Sequence, residues 1–161
     1  MNPKQILKDW SLLSTYLADT FDNEKPDLKT VLFLIGVQEL GQGPKKFSKR
    51  EKEELMHIAV CRLFSDMGYY ILEGLDEEGW PHWNLRKKIP SYSFMEQEYL
   101  LKSLAVEYFK PYMEESIAIE KNNPLEGNNL LVHNKFRAEN NLTDQNKPSG
   151  SKKLSANENH E

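Results

Sequence analysis

Residues Ser48 to Arg86 constrain the fold more than any other part of the chain. Ser48 and Glu51 have the spacing of a capping box, in which each side chain accepts a hydrogen bond from a free backbone amide of the other, so a helix opens here. From Leu55 to Phe64 only His57 and Arg62 are strongly polar, and a helix apolar on most sides is a buried one. It runs to about Asp66, with Gly68 as its stop. Tyr69 to Leu75 is rich in aromatic and β-branched residues and reads as a strand. Asp76-Glu77-Glu78-Gly79 forms the turn, and Trp80 to Arg86 returns. Pro81 has no N–H for a ladder, which places the return strand at an edge.

The flanking segments supply more helices. Pro3 suits a first helical position, and Ile6, Trp10, Leu13, Leu17 and Phe21 follow at helical spacing. Asp27 caps a second helix that is apolar on most sides from Val31 to Val37 and ends at Gly41-Gln42-Gly43-Pro44. Ser93 and Glu96 form a second capping box and open a fourth helix, with Phe94, Leu101, Leu104, Ala105 and Tyr108 on its core side. Pro111 is expected to kink or end that helix, with a short amphipathic extension from Tyr112 to Ile119.

The resulting expectation is an α+β fold, mainly helical. A four-helix, bundle-like domain spans residues 1–119, with one β-hairpin at about 69–86 between the third and fourth helices and packed along the bundle edge. Its core is Trp10, Leu32, Ile35, Leu55, Ile58, Leu63, Leu101 and Leu104. Beyond Glu120, Asn, Lys, Ser and Glu dominate, so residues 120–161 are expected to be a disordered polar tail. Leu130-Leu131-Val132 and Phe136 are its only docking points, and Asn141-Leu142-Thr143 is a chance match to a glycosylation acceptor.

Composition narrows the function classes. A net charge of -4 argues against non-specific nucleic-acid binding by the whole surface. The single cysteine, Cys61, cannot form an intrachain disulfide, which fits a reducing compartment. The N-terminus lacks the pattern of a signal peptide and no apolar run is long enough for a bilayer, so the expected location is cytoplasmic, without a membrane partner.

Three constellations carry chemistry. The first is the hairpin. With a four-residue loop, Glu73 faces His82, and Ile71, Glu73, Leu75, Trp80, His82 and Asn84 share one face. The more apolar Tyr70, Leu72, Trp83 and Leu85 lie on the other and should pack on the helices. Trp80, His82, Glu73 and Asn84 are then the candidate partner-binding residues.

The second is the basic cluster Lys45, Lys46, Lys49, Arg50 and Lys52 at the start of the third helix, joined by Arg86, Lys87 and Lys88 after the hairpin. A winged helix-turn-helix has the same element order and inserts the N-terminal end of that helix into the DNA major groove. Glu51, Glu53, Glu54 and an acidic wing tip count against this reading.

The third is Glu39, His57 and Cys61 as a pocket. Glu54, His57 and Cys61 share a helix face, but a lone His and Cys usually pack as ordinary side chains, and Glu39 on a core-facing stripe wants a partner such as Arg62. No complete catalytic, metal-binding or cofactor-binding signature is present.

Ile35-Gly36-Val37-Gln38-Glu39-Leu40-Gly41-Gln42-Gly43, with Glu54 to Leu63 and Tyr69 to Trp83, resembles small proteins common in Bacteroidota genomes, a group that brings no activity and no site residues with it. The helix–hairpin order alone resembles PadR-type winged-helix regulators, a likeness of fold only. The leading expectation is a small interaction or regulatory protein without catalysis, binding a protein partner through the hairpin surface. The alternatives are a winged-helix DNA-binding protein and a small metal-dependent or acid–base enzyme.

Overall fold

The structure, a computed structural model, describes residues 2–43 and 45–122. Four helices and one antiparallel hairpin follow in the order α1 (Pro3–Phe21), α2 (Leu28–Leu40), α3 (Lys49–Ser65), β1 (Tyr70–Leu75), β2 (Pro81–Leu85) and α4 (Phe94–Asn122). This is the α+β, mainly helical arrangement expected from the sequence.

The caps are local and chemical. Asn2 accepts from the Lys4 amide at 3.1 Å and Asp27 from the Thr30 amide at 2.8 Å. At α3 the capping box is complete, with the Ser48 amide donating to Glu51 at 2.7 Å and the Glu51 amide donating back to Ser48 at 3.2 Å. Ser93 and Glu96 repeat the pattern at the start of α4.

Leu13, Leu17, Val31, Leu32, Leu34, Ile35, Ala59, Leu63, Ala105 and Phe109 form the main core. Trp10, Leu101 and Leu104 pack against it half-buried. A second cluster, Val37, Leu40, Phe47, Leu55 and Ile58, lies toward the hairpin, and Phe33 and Trp80 complete it.

α2 and α3 meet most closely. A methyl group at Gly36 would collide with the backbone of Leu55, carbonyl oxygen included. Only the absence of a side chain lets the two backbones approach this far.

Two expectations for α4 need correction. Phe94 is 80% exposed instead of buried. It stands on the first turn, in front of the segment from Leu100 to Phe109 that does pack. Pro111 does not end the helix, which continues to Asn122. Pro111 and Glu107 are both exposed, so the Glu107 carbonyl that loses its amide donor is left toward water, where the loss is small. The polar segment 123–161, with Leu130–Val132, Phe136 and Asn141–Thr143, lies outside the described residues.

Gly36→Ala tests the close approach. Helix propensity alone favours alanine by about 1 kcal/mol. A backbone collision costs more, because neither helix can yield without repacking. The expected outcome in urea denaturation is a net loss of about 2–3 kcal/mol. A stabilised variant would show that the helices are not held apart by so little.

Candidate functional site

β1 folds back along α3 after the turn at Gly68, and β2 returns beside it. The register is Tyr70↔Leu85, Ile71↔Asn84 and Leu72↔Trp83, then Gly74↔His82 and Leu75↔Pro81, with an irregularity between Leu72 and Gly74. Glu73 is the extra residue of a β-bulge. Gly74, with φ of 150°, takes a conformation that favours glycine.

The bulge corrects the expected pairing. Glu73 does not face His82; Gly74 does. Glu73 instead accepts from the Asn84 side-chain Nδ2 at 2.7 Å, and His82 meets Asp76 at 3.0 Å. A one-residue slip exchanges faces. Leu75 therefore shares a face with Tyr70, Leu72, Pro81, Trp83 and Leu85. That face packs only in part. Tyr70 and Trp83 are half-buried, whereas Leu72, Leu75 and Leu85 are exposed.

Asp76 organises the turn. Its carboxylate accepts from the amides of Glu78 at 3.0 Å and Trp80 at 2.8 Å, as well as meeting His82. The Trp80 amide and then His82 hold this carboxyl below the usual range. Its contribution is present above the ordinary carboxylate pKa and fades as the pH falls through the lower folded value. Gln42 donates to the Glu78 carbonyl at 2.6 Å, tying the turn to the α2–α3 loop. Trp80 projects into the second core cluster and anchors the hairpin.

Between the N-terminal half of α3 and the hairpin lies an open cleft of about 370 Å³. Glu51, Glu54, His57 and Ile58 line it from α3, and Asp76, Glu78, Trp80, Pro81, His82 and Trp83 from the hairpin. Four carboxylates, two imidazoles and two indoles thus surround one space. The Trp83 indole N–H is buried and has no acceptor among the described residues. Lys45 sits at the margin, 5.9 Å from the Trp80 ring and 3.8 Å from Glu51.

The expected hairpin residues are therefore divided. Trp80 and His82 border the cleft, while Glu73 and Asn84 bond to each other and do not line it. Sequence reasoning missed Glu51, Glu54 and Glu78 as cleft residues, because only the fold brings the turn beside α3.

The basic residues are partly spent. Arg50 pairs with Glu54 at 3.1 Å and Lys45 with Glu51, whereas Lys46 and Lys49 are exposed and Lys52 is half-buried.

Of the expected trio Glu39, His57 and Cys61, only His57 lines the cleft. Glu39 lies 3.6 Å from Arg62 and accepts from the Tyr108 hydroxyl at 2.8 Å. Arg62 also donates to Asp66 at 2.7 Å and stacks on Tyr108 at 5.6 Å. Burial and the Glu39 charge push the Tyr108 phenol well above its usual range, so it stays a donor. Glu39 is thus a structural acid whose second partner, Tyr108, was not legible. His57 lines the cleft and lies 3.6 Å from the Cys61 sulfur. Cys61 is fully buried, and burial pushes its thiol up to about 11. Among the described residues no group of three or more His, Cys, Asp or Glu is placed to hold a metal ion. No helix among them is long and apolar enough to cross a membrane.

Comparison of the chain with protein-family models, curated proteins and solved structures finds no match.

Two outcomes follow. Tyr108→Phe leaves Glu39 without a charged-acceptor hydrogen bond and should lower stability by about 1.5–3 kcal/mol in chemical denaturation. At pH 8 the folded protein should react with dithiobis(nitrobenzoate) at least about a hundredfold more slowly than free cysteine, and at the ordinary thiol rate in denaturant.

Proposed function

We propose that the protein is an interaction module without catalytic chemistry, and that its cleft receives a basic side chain from a protein partner. One observation carries this reading. The cleft combines Glu51, Glu54, Asp76 and Glu78 with the rings of Trp80 and Trp83. Carboxylates beside aromatic faces suit a lysine or arginine, which gains both ion pairing and cation–π attraction. Lys45 already makes both contacts at the margin, with Glu51 and with the Trp80 ring. The Trp83 N–H suits a backbone carbonyl of the same partner segment. Aromatic residues in a partly closed site also match the composition of binding hot spots.

DNA binding is the second reading, carried by the helix–helix–helix–hairpin order and by exposed Lys46 and Lys49. The groove-facing end of α3 is supported less well for this role. Four carboxylates stand between it and the hairpin, where a duplex would bring its phosphates. An enzyme built on Glu39, His57, Cys61, Glu73 and His82 gains no support, because these residues fall into separate hydrogen-bonding groups.

The test is a nuclear magnetic resonance titration of the full chain with a lysine- and arginine-rich peptide and with an acidic peptide of equal length. The basic peptide should shift the Trp83 indole and the Glu51–Ile58 amides, and the acidic peptide should not. Glu54→Gln combined with Glu78→Gln should weaken binding about tenfold with an unchanged melting curve. Trp80→Ala is the wrong probe, since Trp80 also packs in the core. Shifts confined to Lys46 and Lys49 on adding duplex DNA at low salt would favour the second reading instead.

A further inference from the structure

The hairpin face that reaches the cleft through Pro81 and Trp83 extends beyond it into exposed leucines. Leu72, Leu75 and Leu85 share one face of the ladder and are 47%, 66% and 50% exposed. Phe94 and Met95, 80% and 53% exposed, follow closely on Tyr92, which contacts Tyr69 at the foot of the hairpin. Three leucines this open on one face of the ladder mark an interaction surface.

The charges at the two ends of the hairpin indicate the occupant. Its tip carries Glu77 and Glu78, and its foot is followed by Arg86, Lys87 and Lys88, all of them exposed. Glu77, Glu78, Arg86 and Lys88 have no ion-pair partner among the described residues. The strands separate tip from foot by about 17–20 Å, more than twice the Debye length of about 8 Å at physiological salt. The two ends therefore cannot neutralise each other within one molecule. A second copy turned end for end brings acidic tip to basic foot twice, with the leucines between them. That is the self-complementarity a two-fold interface requires.

The mode of contact is also constrained. The β1 edge is broken by the bulge at Glu73 and the β2 edge by Pro81, so neither strand is a good template for extending the ladder. Packing of face on face remains.

We propose that two copies of this protein associate through the Leu72–Leu75–Leu85 face of the hairpin, antiparallel, with the tip of each against the foot of the other. This face adjoins the cleft at Pro81 and Trp83, and Glu78 belongs to both, so the dimer would compete with a basic partner for the cleft.

Sedimentation equilibrium of the full chain over a concentration series tests it. The wild type should show a monomer–dimer equilibrium, and Leu75→Glu should be monomeric while keeping the wild-type circular dichroism spectrum. Because a leucine change alone also removes non-specific stickiness, charge reversals decide the arrangement. A tip variant (Glu77→Lys with Glu78→Lys) and a foot variant (Arg86→Glu with Lys88→Glu) should each weaken self-association at least about tenfold. Mixed in equal amounts, they should associate with each other, because each then presents what the other lacks. A wild type that stays monomeric throughout overturns the proposal. So does a dimer indifferent to the reversals, or a mixture that fails to regain association.

Discussion

The contact of α2 with α3 at Gly36 and Leu55 is the constraint on which the rest depends. With the two backbones this close, both apolar clusters are fixed. Val31 and Ile35 reach the main core with Ala59 and Leu63, and Val37 and Leu40 meet Leu55 and Ile58 in the second. The second cluster is what Trp80 packs against, and Trp80 holds the hairpin turn beside α3. The cleft is thus a distant result of one missing methyl group. Glu51 and Glu54 stand on α3, Asp76, Glu78 and both indoles on the hairpin, and they face each other only because the helix pair beneath them has a single spacing.

The polar groups follow the same logic. Glu39 and Arg62 lie on facing helices, half-buried, and are satisfied by each other, by Tyr108 from α4 and by Asp66. A charged pair in such a place adds little net stability, yet removing one member leaves the other stranded. It acts as a registration mark that links α2, α3 and α4. At the hairpin, Asp76 does similar work with backbone amides and so shapes the turn without burial.

Much of this was legible. Ser48 with Glu51, Ser93 with Glu96 and Asp27 announced helix starts through chemistry confined to one turn. The need of Glu39 for a cation on a core-facing stripe pointed to Arg62. From Tyr70 to Leu72 the pairing came out as expected because two offsets cancel: Leu75 pairs with Pro81 instead of Trp80, and the bulge at Glu73 takes up the extra residue. What failed was long-range or subtle. Glycine within a strand is a sign of a bulge, and Gly74 was that sign; without it the parity of Leu75 and the partner of Glu73 came out wrong. Phe94 has the spacing of a core residue, but the body against which α4 packs begins a turn later. Whether Trp80 turned inward, and whether Glu78 came to stand opposite Glu54, depends on how the hairpin lies on α3, which no local pattern encodes.

The order of elements has a kinetic consequence. α2, α3 and both strands are consecutive in the chain, and their contacts span short loops. α1 and α4, by contrast, are joined across the whole of that unit, as in the hydrogen bond from Ser116 to the Tyr16 hydroxyl at 3.4 Å. Closing so long a loop is entropically dearer than forming the local unit, and rewarded only once Leu13, Leu17, Ala105 and Phe109 meet the face that α2 and α3 already offer. The molecule is therefore built to assemble from its middle outward, with the two terminal helices closing last.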